Sequence, residues 1–393
     1  MAFPFDLLVR SMCPSIIGHD CVKAGILLGL LGGTPSLEDG IGSGVGGSRN
    51  YQCSIRSNIH ILVVGDPGMG KSQMLLGATQ VASRSVYVGG NTSSTTGLTI
   101  SLTKEQGGET GIEAGALVLA DQGVCCIDEF DKMAKSNQDG LLEAMEQQQI
   151  SIAKAGVVAS LPARCSVIAA ANPKQGSYNM GKSVAENLNI PPPLLSRFDL
   201  VFILRDRSNL EQDKLVSGNI MALYQSRKDK GGGNGEMDEF MNRHEADMMK
   251  SVSDGNSTSN SNVPMKIRLP WIVDTQNPLP ANVVKDYIMY AKEYCKPKLT
   301  GEAAAILKDY FMSLRYPEDG SQKSGSMPIT TRQLEALIRL SQARAKACLR
   351  EFVLKEDAED VVELMRDSVD QIHMDNDGNI DRTRGGVMGK SKR

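Results

Sequence analysis

No apolar run in this chain approaches the roughly eighteen residues that a membrane-crossing helix needs. The longest candidate, Ala24 to Leu31, is short and broken by Gly25 and Gly29. The N-terminal stretch MAFPFDLLVRSMCPS lacks a charged head, an apolar segment and a small-residue cleavage site in that order, so it does not read as a secretory signal. The eight cysteines include no C-x-x-C pair and no His partner at zinc spacing, which argues against a zinc module and for a reduced intracellular compartment. Charge of either sign is not in excess: 43 basic against 46 acidic residues leave −3. That balance excludes nothing about nucleic acid, because a local basic groove matters more than the sum. Aromatic residues make up 5% of the chain, and no repeat of fixed period is visible.

What is present is length and pattern. At about 150 residues per domain, 393 residues predict two or three domains. Residues 1–225 alternate short apolar runs with amphipathic stretches, which predicts an α/β fold on a mostly parallel sheet. His60 to Val64, Val124 to Ile127, Cys165 to Ala171 and Leu200 to Leu204 are too short for helices and suit strands covered on both faces. Residues 226–280 are rich in Gly, Ser and Asn and predict a flexible linker. Residues 281–375 carry apolar positions at spacings of three and four, predicting a helical domain with segments near 282–296, 301–314, 330–349 and 355–369. Thr330 and Thr331, with Glu335 close behind, resemble a helix-capping signal. The tail 376–393 is polar, basic and glycine-rich, and disorder is expected there.

The chemistry-bearing motif is Gly65-Asp66-Pro67-Gly68-Met69-Gly70-Lys71-Ser72, a G-x-x-x-x-G-K-[ST] match between an apolar strand and a helix-compatible stretch. Such glycines turn backbone N–H groups onto a β-phosphate at a helix N-terminus. Lys71 then neutralises β/γ oxygens, and the Ser72 hydroxyl ligates Mg²⁺. Gly42-Ser-Gly44-Val-Gly-Gly47 also satisfies G-x-G-x-x-G, but it lacks a preceding strand and a following helix and is rejected as a dinucleotide site. After Val124 to Ile127 come Asp128 and Glu129. The first suits a carboxylate for hydrated Mg²⁺, and the second suits a base for the attacking water. Asn172 follows the third strand and either contacts a γ-phosphate or stabilises the turn before Pro173. Arg197 either pairs with Asp199 or serves a neighbour's nucleotide. Residues 149–161 read as a hairpin with Lys154 at its tip, which is either a solvated charge or a phosphate contact in a ring's channel. The polar segment 91–115 is long for a loop and is either a disordered insertion or a functional one.

Taken together, Gly-Asp-Pro-Gly-x-x-Lys-Ser-Gln at 65–73, Cys-Ile-Asp-Glu-Phe-Asp-Lys-Met at 126–133, Ile-Ala-Lys-Ala-Gly at 152–156, Ala-Ala-Asn-Pro at 170–173 and Leu-Leu-Ser-Arg-Phe-Asp at 194–199 resemble the minichromosome maintenance (MCM) helicases. The resemblance implies an AAA+ P-loop ATPase core followed by a small helical lid, binding ATP and Mg²⁺ and forming hexameric rings around DNA in the nucleus. It makes Asn172 the first sensor, Arg197 the arginine finger and Arg332 the second sensor, the two arginines reaching across a subunit interface. It makes the Lys154 hairpin a grip on single-stranded DNA in the pore, and residues 97–115 the insertion that moves with it. The intact Gly70-Lys71-Ser72 and the stretches 155–164 and 328–335 look closest to the family's eighth branch. That branch implies homologous recombination and repair beside the ninth, rather than a replicative role. The expected correspondence is to the ATPase region alone, without an N-terminal oligonucleotide-binding collar, its zinc module or a C-terminal winged helix. A replicative subunit of the family acting in DNA replication, a nucleotide-binding scaffold without catalysis, and a loader acting on protein are the alternatives.

Overall fold

A computed structural model describes residues 4–35, 56–91, 95–104, 110–154, 157–174, 187–188, 190–206, 278–316 and 330–373, with scattered positions between 176 and 221. The rejected Gly42–Gly47 motif, the expected linker up to residue 277 and the expected disordered tail lie outside the described residues. The chain divides into two compact units. The larger takes Met1–Pro14, His19–Asp206 and Pro264–Arg393, so the α/β part and the helical part pack as one body. The smaller takes Ser15–Gly18 and Arg207–Val263, with positions 210, 213–214, 216–218 and 220–221 helical.

Strands follow in the order β1 (Ile61–Gly65), β2 (Ser85–Gly89), β3 (Ile100–Lys104), β4 (Thr110–Ala114), β5 (Val124–Asp128), β6 (Gln149–Lys154), β7 (Val157–Pro162), β8 (Ser166–Ala171), β9 (Leu200–Leu204), β10 (Lys298–Leu299) and β11 (Phe352–Val353). The longer helices are α1 (Phe5–Met12), α2 (Asp20–Leu31), α3 (Lys71–Val81), α4 (Lys135–Gln147), α5 (Ala281–Tyr294), α6 (Gly301–Arg315), α7 (Thr331–Ala347) and α8 (Lys355–His373). Five strands form one parallel sheet in the order β2-β5-β8-β1-β9. The four apolar runs became four of these strands, and β1, β8 and β9 are buried at every position. Helices on both faces exclude water, so nothing selects for polar alternation. The fifth, β2, did not stand out: Ser85-Val-Tyr-Val-Gly lies at the sheet's edge and is only half-buried.

The run Ala24–Leu31 forms the last two turns and more of α2, and it is apolar all round because it is covered all round. Its glycines let it approach the sheet. A Cβ on Gly25 would come within 2.6 Å of the Phe202 ring, and one on Gly29 within 2.6 Å of Ile61 Cδ1. On its other side α2 meets α7 and α8 of the helical part.

The four helices of the second part fall where the periodicity predicts. The capping expectation is corrected. Thr330 precedes α7 but its side chain caps nothing, and Glu335 turns to Arg339 four residues on, 3.4 Å away. The threonine that caps is Thr300, whose Oγ1 accepts from Ala303 N at the start of α6. Segment 91–115 is built rather than loose in its described parts: a short helix, Thr95–Leu98, leads into an antiparallel hairpin of β3 and β4, from Ile100↔Ala114 to Lys104↔Thr110. β6 and β7 form the hairpin predicted over 149–161, closing at Lys154↔Val157, whereas that of β3 and β4 was not foreseen.

Two buried polar contacts tie the parts together. At the free edge of β9, Ser368 of α8 accepts from Val201 N (3.3 Å) and donates to Val201 O (2.5 Å). Asp199, just before β9, accepts from Arg56, from Arg339 of α7 and from His60 N.

His60 itself is buried at the amino end of β1. Its Nδ1 accepts from Val167 N (3.0 Å) and its Nε2 faces Met145 O, so the proton sits on Nε2. Burial, aided by Arg56 and Arg339 and opposed by Asp199, lowers its pKa to about 3. The unfolded chain binds a proton near pH 6.5 that the fold refuses, so stability is lost as pH falls below that value. Between about pH 6.5 and 4 this group is expected to remove up to about 1.4 kcal/mol per pH unit. Urea unfolding of His60→Gln over that range is expected to show a slope shallower by one proton.

Candidate nucleotide site and arginine cleft

Because the sheet is parallel, all its strands end on one edge, where open α/β folds bind ligands. The loop 65–72 leaves β1 there, Asp128 ends β5 with Glu129 next, and Asn172 follows β8, the strand between them. Gly68 and Gly70 adopt φ of 89° and 76°, left-handed values that suit glycine, and the space beside Gly68 is open. Pro67 and Gly68 are exposed, while Met69 is half-buried. Asp66 faces the scaffold: its carboxylate accepts from Tyr178 N (3.1 Å) and Asp206 N (3.3 Å), bracing the loop. The N-terminus of α3 has no side-chain cap, so its first amides are available to an anion. Lys71 gives two of its three donors to Gly65 O (2.7 Å) and Asp66 O (2.6 Å). Burial lowers its pKa against the pull of Asp66, Asp128 and Asp131. Open glycine backbone, uncapped amides and an ammonium fit a polyphosphate.

The acids are fixed by neighbours that the sequence reading did not single out. Asp128 accepts from the Tyr87 hydroxyl (2.8 Å) through Oδ2 and from Glu129 N (2.9 Å) through Oδ1. Burial and the Asp128 carboxylate push the Tyr87 phenol well above its usual pKa, so it stays a donor. Glu129 has φ of 51°, uncommon without glycine, and its Oε1 pairs with Lys132 Nζ at 2.9 Å on the surface. Asp131 accepts from Asn172 N (2.9 Å), joining the turn after β8 to the acidic turn after β5. No cluster of three His, Cys, Asp or Glu side chains suited to a metal exists among the described residues. Ser72 and Asp128 are the hard oxygen donors here, enough for Mg²⁺, which keeps waters and uses phosphate oxygens rather than a protein cage.

Arg197 and Arg332 sit elsewhere. Ile61↔Leu200 through Gly65↔Leu204 sets the register of β1 against β9, and Arg197 precedes Leu200. It therefore lies at the amino edge, about 13 Å or more of strand away from the loop's level. The expected alternative of an Arg197–Asp199 pair is not formed, because Arg56 and Arg339 take Asp199. Arg197 instead pairs with Glu146 near the end of α4, and Arg332 from the first turn of α7 pairs with the same carboxylate. Leu142, Glu143, Glu146, Gln147, Arg197 and Arg332 line an open cleft of about 440 Å³. Lys154 is the last residue of β6, at the closing end of its hairpin. Sequence reading passed over Tyr87, Asp131, Lys132 and Glu146. Lys132 and Asp131 were visible as neighbours of the acid pair, whereas Tyr87 and Glu146 gave no local signal.

Residues 3–224 match the MCM P-loop domain and residues 282–369 match the MCM AAA-lid domain. Over 386 residues the chain is 48% identical to DNA helicase MCM8 of Homo sapiens, covering 97% of this chain and 43% of that protein. It is 46% identical over 398 residues to DNA helicase MCM8 of Xenopus tropicalis, 99% of this chain and 44% of the other. Against the probable DNA helicase MCM8 of Arabidopsis thaliana it is 43% identical over 390 residues, 99% and 47% of the two chains. The chain thus spans less than half the length of these relatives. With a glycine loop, an acid pair and an asparagine on one edge of a parallel sheet, and a helical lid packed on the same body, this chain belongs to the MCM family of P-loop proteins.

Proposed function

We propose that this chain is the ATP-hydrolysing motor region of an MCM-type DNA helicase, acting in the nucleus in homologous recombination and repair. One observation carries the reading: phosphate-binding loop and acids open on the carboxyl edge of the sheet, while two arginines gather at the amino edge, too far along the strands to serve the same loop. Such a division suits subunits arranged head to tail, each lending Arg197 and Arg332 to the nucleotide of the next, as in a hexameric ring. Similarity to DNA helicases named MCM8 supports the branch, with a ninth-branch subunit as the proposed partner.

In this reading the amides of residues 68–72 and Lys71 hold the β- and γ-phosphates. Ser72 and Asp128 hold Mg²⁺, which when bound neutralises the developing charge. Glu129 leaves Lys132, orients the attacking water and takes its proton. Asn172 bonds the γ-phosphate or that water with a neutral amide. Arg197 and Arg332 of the neighbour stabilise charge on the transferring phosphoryl group, so turnover waits on assembly. Lys154 contacts the phosphates of single-stranded DNA in the channel.

Lys71→Ala is expected to abolish ATP binding in a fluorescent-nucleotide titration. Glu129→Gln is expected to bind ATP as the wild type does while DNA-stimulated hydrolysis falls by about 10²-fold or more; wild-type turnover in this variant would remove Glu129 from the role of base. Arg197→Ala is expected to bind ATP and fail to hydrolyse it until mixed with Lys71→Ala subunits, whose arginines are intact. Tyr87→Phe is expected to raise the Mg²⁺ concentration needed for half-maximal hydrolysis several-fold, with metal-free nucleotide affinity unchanged, because Asp128 loses the donor that aims it. A chain that binds nucleotide and never hydrolyses it, with or without DNA, would be the scaffold.

A further inference from the structure

Glu146 lies outside the nucleotide loop, yet it touches both arginines assigned above. Arg197 comes from the turn before β9 and Arg332 from the first turn of α7, on different parts of the fold. Each binds a different oxygen of one carboxylate, Oε2 for Arg197 and Oε1 for Arg332. Burial alone would raise the Glu146 pKa, but the two guanidiniums outweigh it and hold the pKa below its usual value, so the carboxylate is ionised. Two guanidiniums this close repel each other, and the shared anion between them removes that cost.

Donor capacity remains. Arg197 spends Nη1 on Pro193 O and Nη2 on Glu146, while its buried Nε has no partner among the described residues. Arg332 reaches Ser196 Oγ (3.4 Å) through Nη1 and Glu146 through Nη2. Behind them, Asp199 holds Arg339 of α7 and, through Arg56, the backbone of Arg197 itself, since Arg56 also donates to Arg197 O (3.2 Å). The backbone of Arg197 and the helix that bears Arg332 are thus anchored by contacts of their own, and Glu146 is the anion that the two guanidinium tips share. Glu146 is exposed, so water screens the pairs and they are weak enough to yield to a polyphosphate of higher charge.

We propose that Glu146 is a positioning residue for the transferred arginines. Its carboxylate gathers Arg197 and Arg332 into one preformed cleft in the free subunit and hands them to the triphosphate held by a neighbouring subunit when the two dock. The inference rests on the proposed lending of arginines between subunits. Preorganisation is the gain, because guanidiniums already converged need not be collected at the moment of reaction.

The test is Glu146→Gln, which keeps shape and removes charge. ATP affinity at its own loop and the thermal melting point are expected to match the wild type, while kcat at saturating ATP falls by about ten- to a hundredfold. Mixing separates the sides of the interface. Lys71→Ala subunits, with a dead loop and intact arginines, are expected to restore hydrolysis to Glu146→Gln; Arg197→Ala subunits are not, because neither partner then offers a competent cleft. An unchanged or raised kcat overturns the proposal. So does rescue by Arg197→Ala, which would place Glu146 on the loop side, and so does absence of rescue by Lys71→Ala where Arg197→Ala is rescued by it. If Arg197→Ala is itself never rescued by Lys71→Ala, the lending of arginines fails and the proposal falls with it, an outcome distinct from failure of Glu146 alone. Should Glu146→Gln melt early, Glu146→Asp carries the same test, since it keeps the charge but withdraws it by one methylene; the same pattern of rescue is expected.

Discussion

One buried carboxylate, that of Asp199, holds this fold in working order. It is nearly inaccessible, yet three donors from two distant segments of chain satisfy it: Arg56 and the amide of His60 on the way into β1, and Arg339 on α7. Burial works to raise its pKa, and Arg56 and Arg339 overcome that and keep it ionised. An ion pair of this kind adds little over a well-packed apolar replacement, but losing one partner leaves a stranded charge costing about 3–5 kcal/mol. Its value lies in geometry: a helix of the lid, the start of β9 and the entry to β1 meet at one point and can meet in one way.

From that point the two edges of the sheet take different tasks. The carboxyl edge gathers backbone amides, an ammonium and acids, groups whose chemistry suits a charged chain of phosphates. The amino edge gathers arginines. A parallel sheet enforces the division, since every strand runs the same way and no side chain spans its length.

Much of this could be read before any coordinates. Four core strands announced themselves because burial on both faces leaves unbroken apolar runs, and the loop 65–72 because few other structures need glycines, lysine and serine at those places. The helices of the lid followed from periodicity. What stayed hidden was set by contacts distant along the chain. β2 was missed since an edge strand with one wet face needs no conspicuous composition. Thr330 looked like a cap, but Gln333 N turns to the Thr330 carbonyl and the hydroxyl is left out. A pair between Arg197 and Asp199, two apart, was one of two open alternatives, and residues from elsewhere claim each of them. Tyr87 and Glu146 carry no motif, and only the fold reveals what they touch.

The grip of Ser368 on Val201 bears on what the edge of the sheet can accept. An open β-edge is an invitation to any passing extended peptide, and proteins that assemble in bulk often accept it. Here both backbone groups of Val201 are already answered by a hydroxyl from α8, so strand-to-strand addition is barred at that point. Val201 thus has no spare hydrogen bond for an added strand, and the sheet's outer margin is sealed there by a side chain rather than by more sheet.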